Sequence, residues 1–213
     1  MQLETILMTN ITQHTRNHYT WRPADIAVAA SVGVASGLVF WGFNYVSAWL
    51  FPLMRTILPG TGSLFHAIWY FSGPLALLII RKPGAAVFVN LVGSAVEMLL
   101  GNQFSVSFVF VSAIFQALFS ELAFAIFLYK RWTLSISMLS GLLTAIEYGL
   151  YLLFFQYQGV AFFSAYGITH MICEMIGGIL IGGVMSWYLF VAIAKTGALD
   201  KFASGRSIKA KVE

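Results

Sequence analysis

Four glutamates stand in otherwise apolar stretches: Glu97, Glu121, Glu147 and Glu174. A carboxylate in hydrocarbon costs about 2.5–3.5 kcal/mol or more unless it is solvated, paired or protonated. No Lys or Arg shares those stretches, so an internal salt bridge is not available to pay that cost. One reading is packing, with the carboxyls protonated or bonded to backbone. The other is a polar cavity for a cation or a ligand rich in hydrogen-bond donors. Trp69, Asn102, Gln116, Tyr151 and His170 fall at similar depth to Glu97, Glu147 and Glu174 and supply the remaining candidates for such a cavity. His170 and Glu174 are four apart and share a helix face, as do Glu147 and Tyr151. Trp69 and Tyr151 can stack on a flat ring or hold a cation over an aromatic face.

These residues must be positioned by membrane-spanning helices. Of 213 residues, 59% are hydrophobic and only 9% charged. That is too few charges to cover a water-soluble domain of this size, which excludes a soluble enzyme and a disordered chain. The single cysteine, Cys173, excludes a disulfide scaffold. Six apolar runs follow one another at 24–51, 63–80, 84–100, 106–129, 133–156 and 162–194. Each is continuous rather than alternating, so the fold class is an all-α membrane bundle and not a β-barrel. Residues 1–22 read as a cytoplasmic N-terminal tail, 23–195 as the membrane domain and 196–213 as a basic cytoplasmic tail. Pro52, Pro59, Gly60 and Gly62 mark the first loop.

Basic residues set the orientation. Arg16, Arg22, Arg81, Lys82, Lys130, Arg131 and five residues from Lys195 to Lys211 fall on one side; Arg55 alone falls on the other. This predicts six spans with both termini in the cytoplasm. Glu97 then lies near the outer surface, Glu147 and Glu174 near mid-membrane and Glu121 in the inner half. The small net charge of +4 gives no reason to expect nucleic-acid binding.

The first span carries small residues on two stripes: Ala27, Ser31 and Ala35 on one, and Ala29, Gly33 and Gly37 on the other. Small residues every fourth position allow close helix approach in membranes, either within the bundle or against a partner protein.

Several of these residues carry a resemblance. The run Arg81-Lys82-Pro83-Gly84-Ala85-Ala86, followed by Val96-Glu97 and Leu99-Leu100-Gly101-Asn102, is similar to the substrate-binding S components of energy-coupling-factor (ECF) vitamin transporters. Ile68-Trp69, Gln116, Glu121 and Thr196-Gly197-Ala198-Leu199 also fit. The chain most resembles the YkoE-like thiamin or hydroxymethylpyrimidine group. The resemblance implies a six-helix S component in a prokaryotic plasma membrane, with vitamin bound from outside. It implies docking through the first helix, at Ala27, Ser31 and Ala35, to a transmembrane coupling protein that carries two ATPases. Ser31 stands where the family motif has alanine. No cofactor is implied. The absence of a G-x-x-x-x-G-K-[ST] phosphate loop agrees with energy supplied by another subunit.

Thiamin pairs an aminopyrimidine donor with a cation, which suits unpaired glutamates and aromatic rings. The substrate-binding candidates are therefore Trp69, Glu97, Asn102, Gln116, Glu147, Tyr151, His170 and Glu174. Other readings are a different vitamin, a stand-alone proton-coupled carrier, or an intramembrane hydrolase using His170 and Glu174. The hydrolase lacks any His-Glu-x-x-His or Gly-x-Ser-x-Gly motif.

Overall fold

The structure, a computed structural model, describes residues 19–209. The earlier part of the N-terminal tail, with Arg16, and the last four residues, with Lys211, lie outside the described residues. The described chain is helical, and no strand occurs in it. We number its helices α1 (Pro23–Ile57), α2 (Thr61–Ile80), α3 (Ala85–Leu100), α4 (Val106–Ile126), α5 (Leu134–Phe155), α6 (Ala165–Lys195) and α7 (Ala203–Lys209). Five of the first six are long and apolar enough to cross a membrane, whereas α3 has 16 residues.

The expected runs become helices with local differences. Pro52 lies inside α1 rather than in the loop after it, and the helix continues to Ile57. A proline removes one backbone donor and kinks a helix, but it need not end one where the flanking turns are apolar. The second run is not one uniform helix. Thr61–Trp69 is 3-10, and Ser72–Ile80 is α-helical. All nine residues of that second part are buried, so α2 is the central element and the others surround it. The sixth run contains a π-helical segment at Gly178–Met185, where α6 crosses α5. There a Cβ on Gly141 would stand 2.0 Å from the Gly178 carbonyl oxygen, so only glycine permits the approach.

The segment after Lys195 is not a detached tail. Leu199, Phe202 and Ile208 are buried in the main core, and the Ser204 hydroxyl donates to the Ile79 carbonyl at 2.7 Å. The short helix α7 thus closes the end of the bundle where α2 finishes.

The Arg-Lys-Pro-Gly run makes the turn between α2 and α3. Arg81 (φ 58°) and Gly84 (φ 85°) both adopt left-handed backbone. Glu121 on α4 then accepts hydrogen bonds from Gly84 N (3.0 Å) and Ala86 N (3.1 Å). A carboxylate at a helix N-terminus satisfies otherwise unpaired donors and opposes the helix dipole. The Tyr129 hydroxyl donates to the same carboxylate at 2.8 Å. Lys82 pairs with the buried Asp25 near the start of α1, and Arg22 holds the other Asp25 oxygen at 2.8 Å.

Candidate functional site

At the opposite end of the bundle the polar side chains fall into three groups. The first surrounds Glu97 on α3. Its Oε1 accepts from Asn44 Nδ2 on α1 and from Asn102 Nδ2, both at 2.8 Å. Asn44 Oδ1 in turn accepts from the Trp69 indole at 3.1 Å. Asn102 Oδ1 accepts from Phe104 N at 2.9 Å, which folds the α3–α4 connection over the group. Trp69, Ser94, Glu97, Asn102, Gln116 and Tyr148 all line one cavity of about 30 Å³. Glu97 and Gln116 are buried. Among the described residues neither Glu97 Oε2 nor the Gln116 amide has a hydrogen-bond partner. The cavity therefore presents an acceptor and a primary amide inside aromatic walls.

Glu147 and Tyr151 do not join that group. They line a separate groove of about 660 Å³ between α4 and α5, walled by Phe115, Phe119, Phe154 and Phe155. Glu147 Oε2 is buried without a partner, and Tyr151 donates to the Phe108 carbonyl at 3.3 Å. Depth along a helix does not fix its rotation, so residues at the same level on α5 and α3 face different spaces.

In the third group His170 and Glu174, which share a helix face, bond to different partners. Glu174 Oε2 meets His66 Nδ1 at 2.6 Å, and its Oε1 accepts from the Tyr70 hydroxyl at 3.0 Å. His170 Nε2 instead faces the Gly149 carbonyl at 3.2 Å. Both histidines and Glu174 are buried. Sequence reasoning missed His66, Asn44 and Tyr148. The signal was present for the first two, since any polar side chain in an apolar span must find partners or a function.

The candidate docking stripe is separate from all three. Ala27, Ser31 and Ala35 are exposed on the outside of α1, while Ala29, Gly33 and Gly37 are buried. A Cβ on Gly37 would stand 2.5 Å from the Gly93 carbonyl oxygen, so this second stripe packs α1 on α3.

Residues 24–147 match the family model described as the permease component of an ABC-type cobalt transport system. The chain belongs to this family. Family membership and the helical architecture make it a multi-pass membrane protein of a transport-system family. Among relatives, it is 28% identical over 193 residues to the Bacillus subtilis (strain 168) protein that bears the name HMP/thiamine permease protein YkoE. That match covers 90% of this chain and 94% of the relative. A crystal structure of an S component of an ECF transporter superposes with a TM-score of 0.80 at 26% identity. It covers 90% of this chain and 95% of the other. The resemblance to ECF S components of the YkoE-like group is borne out.

Proposed function

We propose that the chain is the substrate-specific subunit of an ATP-driven ECF importer and binds thiamin or hydroxymethylpyrimidine at the Glu97 cavity. The observation that carries this is the state of Glu97. Asn44 and Asn102 fix one carboxylate oxygen, and the other is left for a ligand donor between Trp69, Gln116 and Tyr148. An aminopyrimidine offers the matching amine and a face for the aromatic walls. The name of the Bacillus subtilis relative supports the same ligand class.

A cavity of about 30 Å³ holds little more than water, whereas ligand pockets run to roughly 300 Å³ and above. Binding therefore requires a wall to move. The wall outside the helices is the α3–α4 connection with Asn102 and Phe104, which follows Gly101 (φ 113°). In this reading six helices span the membrane, both termini are cytoplasmic, and Ala27, Ser31 and Ala35 meet the coupling protein.

Calorimetric titration of purified protein with thiamin and with hydroxymethylpyrimidine tests the ligand. Saturable binding of one of them is expected, and binding of neither rejects the assignment. Mass spectrometry of ligand carried through purification identifies any alternative.

A further inference from the structure

We infer that His66, His170 and Glu174 form a binding site for a divalent transition-metal ion, with zinc the best-suited occupant. This site is distinct from the Glu97 cavity and does not rest on the vitamin reading.

One ligand atom from each of the three side chains can be chosen so that all lie within 4.8 Å of one another. The three residues come from two elements, the 3-10 part of α2 and the outer part of α6, so tertiary structure assembles the cluster. Two imidazoles and a carboxylate are a donor set that zinc accepts, with a fourth position left open. The surroundings of two of the three, His170 and Glu174, match the outer shell of such sites, in which a ligand is oriented by a further hydrogen bond. His170 Nε2 faces a carbonyl oxygen, which only accepts, so Nε2 carries the proton and Nδ1 keeps its lone pair. The Tyr70 hydroxyl holds the Glu174 oxygen that does not face His66.

A void and a route to it are also present. His66 and His170 line a pocket of about 10 Å³, room for one atom-sized guest, under Gly60, Ser63, Tyr157 and Tyr166. Gly60 (φ 98°) is needed there, because a Cβ would approach the His170 backbone nitrogen and the Tyr166 backbone carbonyl oxygen to 3.0 Å. Tyr157 and Tyr166 also line the outer cleft, which gives access from that surface. Arg55 lines both spaces and opposes a cation, although its side chain is exposed and so partly screened.

Without an ion, the His66–Glu174 contact is a hydrogen bond with the proton on His66 Nδ1. Loading the ion at His66 Nδ1 needs the lone pair of that nitrogen, so the neutral ring carries its proton on Nε2 instead and the contact with Glu174 is replaced by two bonds to the ion. The bound ion would tie α2 to α6 across the mouth of the bundle.

The chain has four histidines, and His14 and His18 are a second possible chelating pair. The test therefore uses full-length, tag-free protein carrying His14→Ala and His18→Ala, stripped with EDTA and titrated with Co²⁺ and Zn²⁺. The expected result is one Co²⁺ per chain with visible d–d absorption, displaced by Zn²⁺. Glu174→Gln and His170→Gln should each weaken binding by roughly tenfold or more, with helical content and elution volume unchanged. Should those variants fail to fold, Arg55→Gln gives an independent reading, because removing the opposing charge should tighten Co²⁺ binding several-fold. Absence of saturable Co²⁺ binding in the parent protein overturns the proposal. So does binding that Glu174→Gln, His170→Gln and Arg55→Gln all leave unchanged.

Discussion

Glu97 and Glu121 show two opposite uses of a buried carboxylate. Glu121 is spent on structure: both oxygens accept backbone N–H groups at the start of α3, and Tyr129 adds a third donor. Glu121→Ala leaves those donors unpaired in the protein interior. Hydrogen bonds to charged groups are worth about 1.5–3 kcal/mol each, so destabilisation of at least about 2 kcal/mol is expected. A lowered thermal midpoint in detergent, with α3 exchanging its amide hydrogens first, is the measurement. Glu97 is only half engaged, and its remaining oxygen faces the cavity. Glu97→Gln keeps shape and the accepted amides but removes charge. It is expected to weaken aminopyrimidine binding by about 1–3 kcal/mol in calorimetry, with little change in thermal midpoint. Equal affinity in wild type and variant would place the ligand elsewhere.

At the scale of elements, α1 presents two small-residue stripes with different fates. Gly33 and Gly37 meet α3 with no room for a side chain. At Gly37 a Cβ would contact the backbone oxygen of Gly93, which cannot rotate away. Gly37→Val is therefore expected to separate α1 from α3 and to lose folded protein on size-exclusion chromatography. Ala35, two residues earlier, is exposed, and a large side chain there meets nothing in the bundle. Ala35→Trp should fold and bind ligand normally. If the stripe meets the coupling protein, the same variant should lose complex formation on pull-down and ATP-driven uptake together. Normal uptake by Ala35→Trp would show that α1 docks no partner through this face.

For the whole molecule, the two ends differ in chemistry. One end holds Arg22, Asp25, Arg81, Lys82 and the returning helix α7. Arg81 lies over Trp132 at 5.5 Å, and burial lowers its pKa to about 10, so it remains charged at neutral pH. The other end holds the cavity, the histidine cluster and the aromatic connections. The basic end should face the cytoplasm. Single cysteines at Lys130 and at Gln158, in a Cys173→Ser background, test this with a membrane-impermeant maleimide. Position 158 should label in intact cells, and position 130 only after permeabilisation. Labelling of position 130 in intact cells would reverse the orientation.

How much of this was legible in the sequence follows from what each signal measures. Continuous apolar runs mark helices because backbone polar groups in hydrocarbon must be satisfied within a segment. The glutamates stood out because charge in such runs is costly, and the two small-residue stripes of α1 stood out because spacing reports helix faces. Spacing does not report what a face meets. Only the packed bundle decided that Gly33 and Gly37 face α3 while Ala35 faces outward. Only the bundle divided residues of equal depth among Glu97's cavity, Glu147's groove and the cluster at Glu174, because rotation about each helix axis is set by contacts from distant parts of the chain. His66 and Glu174 are 108 residues apart, and their contact exists only once α2 lies against α6. Composition and periodicity thus determined a helical membrane protein with buried acids. Long-range packing decided which of those acids hold the fold together and which are left with a free oxygen.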